Sequence, residues 1–219
     1  APKVSQVQEL FTRVVDVAKG AALMTGTKMK YEITMAFSDY VPNDTLGKIA
    51  AECMMEVGAP KWETSDYELA KKFLNSYDPV TLETIKEDIV QTYGGDQLAK
   101  ILERPLDDQV HPYVAGVHEY ESGSTDVGDV GYAAPTLNLN VSTCCIGNVG
   151  HTWQMTAQAG SVLGHKGLLT AAKALALSTI RTMESPEVME AAKAEFVAKT
   201  GGVYHCPLPD DVKPPVGRY

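Results

Sequence analysis

Basic residues never cluster along this chain. Lysine and arginine total 19 against 28 aspartates and glutamates, for a formal net charge of −9. Nucleic-acid binding needs grouped cations to neutralise phosphates, so no nucleic-acid partner is expected. No run of about 18 apolar residues occurs, so no spanning helix and no membrane partner are expected. A charged segment leading into an apolar leader is also missing. Cysteines are few, at positions 53, 144, 145 and 206. On a strand, adjacent Cys144 and Cys145 would point to opposite faces, which does not make a disulfide framework. Reduced thiols in a cytoplasmic protein are therefore expected. The chain carries no G-x-S-x-G elbow, no H-E-x-x-H, no C-x-x-C and no P-loop. The glycines from Gly123 to Gly128 have the wrong spacing for a dinucleotide fingerprint, and no helix is expected to follow them.

What is present suffices for a packed core. The chain has 219 residues, 44% of them hydrophobic, enough for one large domain or one domain and part of another. It opens Ala1-Pro2-Lys3 without an initiator methionine, as expected of a processed or truncated chain. Val4, Val7, Leu10, Phe11, Val14, Val15, Ala18 and Ala22 have helix spacing, which predicts a helix over 4–22 with one buried stripe, ended by Gly20 or Gly26. Lys28–Met35 alternates: Met29, Tyr31, Ile33 and Met35 on one face, Lys28, Lys30, Glu32 and Thr34 on the other. That pattern predicts a half-buried antiparallel strand, with partner strands upstream or in another chain. Val41-Pro42-Asn43-Asp44 is a break, and a domain boundary is placed there, between 1–42 and 43–219.

Helices are predicted over Thr45–Val57, from a Ser65/Glu68 capping box to Leu74, and from Asp78-Pro79 to Gly94-Gly95. Residues 103–123 read as a long polar loop. Thr136–Ile146 alternates and predicts a second strand. Ser161–Met183 is rich in alanine and leucine and predicts a long helix. Ser185-Pro186 opens a last helix with Val188, Met189, Ala192 and Phe196 buried, closed by Gly201-Gly202. The pattern as a whole points to an α/β protein.

Chemistry-bearing residues concentrate between Gly123 and Gly167. His151 sits in a glycine-containing loop between the second predicted strand and the long helix, where an imidazole is accessible and can be aimed by backbone contacts. Its alternative role is to hydrogen-bond nearby backbone. Asp126 and Asp129 lie in a turn with Ser124, Thr125 and Gly128, suited to orienting a ligand; equally, aspartates in such turns cap their own backbone. His165 opens the long helix beside Lys166, facing the site or partly buried. The seven-residue spacing of His111 and His118 fits neither a helical pair nor a zinc knuckle. His205 and Cys206 form a weak metal pair.

The run STDVGDV through NLNVSTCCIGNVGHTWQ to GHKGLL resembles the C-terminal region of metal-dependent amidohydrolases, the aminoacylase/carboxypeptidase-like zinc peptidases. Within that family the likeness is greatest to the aminobenzoyl-glutamate utilisation group, whose C-terminus the tail from Tyr204 to Pro215 resembles. The resemblance covers essentially the whole chain and is most specific over 123–170. It implies the back half of a zinc-peptidase-like αβα catalytic domain, entered at Asn43, plus part of an α+β lid or dimerisation domain. It also implies two divalent metals, zinc or alternatively manganese, and hydrolysis of an amide bond in a small N-acyl amino acid or aminobenzoyl-glutamate-like substrate. Carried over by position, His151 matches a metal ligand and Asp126 an acidic catalytic position. Ser124, Thr125 and His165 match substrate or supporting positions. The upstream ligands and general-base glutamate have no counterpart here, so an N-terminal catalytic segment is expected elsewhere, and the chain alone is expected to be inactive. Homodimerisation through the lid is implied as well. The alternatives are a non-catalytic oligomerisation or regulatory module, suggested by the unpaired edge at Lys28–Met35, and an anion site at the 123–131 turn, which the sequence supports least.

Overall fold

The structure is a computed structural model that describes residues 1–117, 123 and 125–213. Among the described residues all regular structure is helical: α1 Val4–Thr25, α2 Asp44–Val57, α3 Thr64–Leu74, α4 Pro79–Tyr93, α5 Leu98–Glu103, α6 Val127–Ala133, α7 Trp153–Ala159, α8 Val162–Glu184 and α9 Pro186–Thr200. The α/β expectation, with its αβα catalytic layer and α+β lid, is therefore overturned. Neither Lys28–Met35 nor Thr136–Ile146 forms a strand. Alternation creates a segment with two unlike faces, but a strand exists only as one side of a hydrogen-bonded ladder. Tyr31 and Met35 stay exposed, and the Tyr31 ring meets Phe11 edge-on at 5.6 Å instead of packing on a sheet.

The helical expectations hold better, because periodicity and caps act together. Asp78 accepts hydrogen bonds from the amides of Val80 and Thr81 and opens α4 at Pro79, as read. The α3 cap moves two residues upstream: Asp66 Oδ2 accepts from the Glu63 amide at 2.8 Å, in place of the Ser65/Glu68 box. The turn after Gly123 does lead into a helix, the short α6, contrary to expectation. In α9, Ala192 is buried but Met189 is exposed.

The chain divides into two discontinuous units. The second comprises Lys48–Tyr113 and Asn138–Ser185 and holds a hydrophobic core of Tyr67, Ala70, Leu74, Tyr77, Ile85, Ile89, Ile101, Leu106, Cys145 and Leu163. In it α3 packs on α5 and α8, α4 on α5, and α7 on α8. Each fully buried aliphatic side chain here contributes about 1.5–3 kcal/mol. Gly167 lies against the backbone of Ser142 with no room for a Cβ, so α8 approaches the 142–143 segment closely. Lys166, its neighbour, donates to the buried Asp66 carboxylate at 2.6 Å and ties α8 to α3. Burial pushes the Asp66 pKa up, but the Glu63 amide and Lys166 more than offset it and hold the carboxyl below its ordinary value.

The first unit comprises the described residues of Ala1–Gly47, Val114–Leu137 and Pro186–Tyr219. Polar ties dominate it. Asp39 accepts from Lys3 Nζ (2.8 Å) and from the Val4 amide (3.0 Å) at the start of α1. Asn43 Oδ1 accepts from the Leu46 amide, and Asn43 Nδ2 donates to Ala192 O. Glu195 on α9 reaches the amides of Asp44 (2.6 Å) and Thr45 (2.9 Å), covering free N–H groups at the start of α2. By contrast, α1 keeps only Val15 buried, so the expected buried stripe is wrong. Val7, Leu10, Val14, Val17, Ala21 and Met24 repeat at 3-4-3-4-3 spacing along its open face. That heptad repeat is the pattern of a helix awaiting a helical neighbour.

Glu195 supplies a pH-dependent contribution. Burial pushes its carboxyl up, yet Lys199, the two amides and the Thr45 hydroxyl together hold it down at about 2, against an ordinary 4.5. A depressed folded-state pKa means the native state binds fewer protons. The stabilisation is therefore complete above about pH 4.5 and lost as pH falls toward about 2. Thermal melts across this window should show a shallower acid loss in Glu195→Gln than in the natural chain. Equal slopes would mean that the cap contributes nothing.

Candidate functional site

The site grows from the loop between Cys145 and α7. Cys145 is buried, and its amide donates to Gln158 Oε1 at 2.8 Å. The next amide, Ile146, donates to Pro105 O at 2.9 Å. Gly147 then turns the chain at φ +81°, a conformation that favours glycine, and a Cβ there would meet Ile85. Asn148 follows with its side chain held from two directions: its Oδ1 accepts from Gln158 Nε2 at 2.8 Å and from the Tyr77 hydroxyl at 3.2 Å. The same hydroxyl accepts from the Val149 amide at 3.0 Å. Thr152 closes the loop, donating to Val149 O (2.8 Å) and capping α7 through the Met155 amide.

His151 stands at the crest of this loop. It is exposed, and at φ +58° it is the non-glycine residue in the left-handed region among those described. Such a conformation costs a side-chain-bearing residue about 1 kcal/mol or more, so the anchored flanks on either side must hold it. His165, also exposed, lies in the first turn of α8, its amide bonded to Ser161 O. Both histidines belong to the second unit.

Thr125 and Asp126 belong to the first unit and are exposed. Thr125 Oγ1 accepts from the Val127 amide, and the Asp126 carboxylate makes no capping bond to α6. Asp129 is used structurally: it accepts from the Ser38 amide and hydroxyl and from the Tyr204 hydroxyl. Ser124 and His118 lie outside the described residues. His111 pairs instead with Asp107, Nε2 to Oδ2 at 2.6 Å, on the surface.

The implied pair of metals needs several donors held together. Among the described residues, no three His, Cys, Asp or Glu side chains group to hold an ion. Burial and the neighbouring Cys144 push the Cys145 thiol up to about 12, so it is not a free thiolate nucleophile near neutral pH. These residues do not by themselves fit a two-metal centre; His151 offers one imidazole. The sequence pattern singles out His151 but not the Tyr77, Asn148 and Gln158 side chains that bond around its loop. Gln154 and Gln158, buried four residues apart on α7, carried the available signal, and it is indistinct without the fold.

No family model matches the chain. No solved structure matches it either. It is 31% identical over 218 residues to the subunit designated B of p-aminobenzoyl-glutamate hydrolase from Escherichia coli (strain K12), an alignment covering 98% of this chain and 45% of that protein. The chain is thus a homologue of that hydrolase component and spans about half its length. No helix among the described residues is long and apolar enough to cross a membrane.

The strained loop yields a direct test. His151→Gly should raise the unfolding free energy by about 1 kcal/mol and His151→Val should lower it by at least as much, since only glycine is free in that conformation. Urea denaturation of the three chains measures both. Equal midpoints would mean that the loop relaxes at position 151.

Proposed function

We propose that this homologue of a hydrolase component is the C-terminal portion of a metal-dependent amidohydrolase. The complete enzyme cleaves the amide bond of an N-acyl amino acid or an aminobenzoyl-glutamate-like substrate. The observation that carries the reading is the alignment along 98% of the chain to a protein named for p-aminobenzoyl-glutamate hydrolysis. The exposed imidazole of His151, carried by an anchored loop inside the stretch that carries the family likeness, supports it. His151 contributes one donor to a divalent-metal site, zinc or manganese, whose other donors lie outside the described residues. Asp126 serves as an acidic catalytic group, with Ser124, Thr125 and His165 as substrate or supporting contacts. The chain by itself is inactive and works with an N-terminal catalytic segment and a partner subunit, in the cytoplasm.

The test uses the full-length protein with its partner, assayed for amide cleavage of p-aminobenzoyl-glutamate. His151→Ala should lose at least about 100-fold in kcat/KM, the scale of removing one group that stabilises the transition state. The 219-residue chain alone should release no product. Near-normal turnover by His151→Ala sinks the assignment.

A second reading, an oligomerisation role, is favoured by the exposed heptad face of α1. It is compatible with the first: two copies pairing through this helix would form a homodimer. Sedimentation velocity should show a dimer for the natural chain and a monomer for the Leu10→Asp, Val14→Asp double variant. A monomer in both cases would remove the homodimer.

A further inference from the structure

We infer that Tyr77, Asn148 and Gln158 are positioning residues for His151, with the Tyr77 hydroxyl as the clamp that sets the loop. The inference rests on the reading of His151 as a functional donor and names the device that aims it.

Tyr77 lies between α3 and α4 and belongs to the buried hydrophobic cluster that also holds Leu74, Ile85 and Ile89. It is 8% exposed. Its hydroxyl is the point where the core reaches the loop, accepting from the Val149 amide and donating to Asn148 Oδ1. Gln158 approaches from α7 and is fully buried. Its amide nitrogen donates to the same Asn148 oxygen and to Gln154 O, while its oxygen holds the Cys145 amide. Two elements thus fix one asparagine side chain, and that asparagine lies three residues before His151. Thr152 anchors the far side through Val149 O.

Every side-chain polar atom of Tyr77 and Gln158 is used in holding this loop or α7. A Tyr→Phe change removes one oxygen and leaves the ring packed, yet frees the Val149 amide and half of the restraint on Asn148. The left-handed backbone at His151 persists only while its flanks are over-determined. Releasing one flank lets the imidazole leave its aimed position. A displacement of about 1 Å at a reacting group costs on the order of 100-fold in rate.

The test has two arms. In the 219-residue chain, Tyr77→Phe should lower hydrogen-exchange protection of the Val149 amide at least about tenfold and shift the His151 ring resonances. The core variant Ile89→Val, which leaves the clamp intact, should do neither. If Tyr77→Phe fails to fold, Gln158→Glu, which keeps the oxygen and removes the donor to Asn148, is read by the His151 resonances alone, which should shift. Unchanged protection and unchanged His151 resonances overturn the clamp.

In the full-length protein, Tyr77→Phe should lower kcat by at least about tenfold with KM nearly unchanged, within the 10–100-fold scale of losing support behind an active group. His151→Ala separates the two claims. If it abolishes turnover while Tyr77→Phe leaves kcat intact, the clamp is wrong and the reading of His151 stands. If His151→Ala retains turnover, that reading fails and the positioning role falls with it, whatever the resonances show about the loop.

Discussion

The second unit depends on a single buried amide. Gln158 has no contact with water, so each of its polar atoms must find a partner inside the protein or cost the full desolvation penalty, about 1–3 kcal/mol per group. It finds them in Cys145, Asn148 and Gln154. Because those partners span the loop and the helix that follows it, satisfying one side chain fixes a whole segment. No buried side-chain polar atom lacks a partner among the described residues. Polar networks of this kind are worth most when complete, since the low dielectric that strengthens each bond also raises the cost of any missing one.

The first unit is built on another principle. Its buried apolar side chains are few, Val15 and Ala192 among the described residues. Its order comes from carboxylates and amides placed where helices begin: Asp39 at α1, Asn43 and Glu195 at α2. Capping bonds contribute about 1 kcal/mol apiece and act over one turn. They set where a helix starts but do not replace a core. A unit held by caps, with a 22-residue helix that leaves its apolar repeat open, draws little hydrophobic stabilisation from its described residues.

These two modes explain what could be read from the sequence. The helices at Asp44, Pro79, Val162 and Pro186 were legible because a 3.6-residue repeat coincides with a start or stop signal at each. Asp78-Pro79 and Gly94 bracket α4 on local chemistry alone. The two strands were misread for one reason. Alternation at Lys28–Met35 and Thr136–Ile146 describes what a segment's faces are like, whereas a ladder requires a second segment, and none supplies it among the described residues. The short helices α5, α6 and α7 were missed because six or seven residues are too few for periodicity to show. The exposed loop position of His151 was legible because a glycine-flanked histidine is a local signal. Tyr77 and Gln158 were not, because their meaning lies in bonds across 71 and 10 residues that no spacing rule encodes.

The anchored loop and the sparse donor set belong together. A metal site gains affinity when several donors are held in place before the ion arrives, so that little ordering remains to be done. Rigidity invested in one exposed imidazole brings little by itself: a lone histidine binds an ion weakly whether or not its loop is fixed. Backbone strain at position 151 is therefore hard to explain as a property of this chain in isolation, where a glycine would serve the turn at lower cost. On the proposed reading it has a use: the loop holds its donor ready for a set completed by another segment. The same logic applies to the open face of α1, where the heptad repeat specifies the periodicity of a contact before that contact is made. On the proposed reading, both features anticipate contacts that the described residues do not supply.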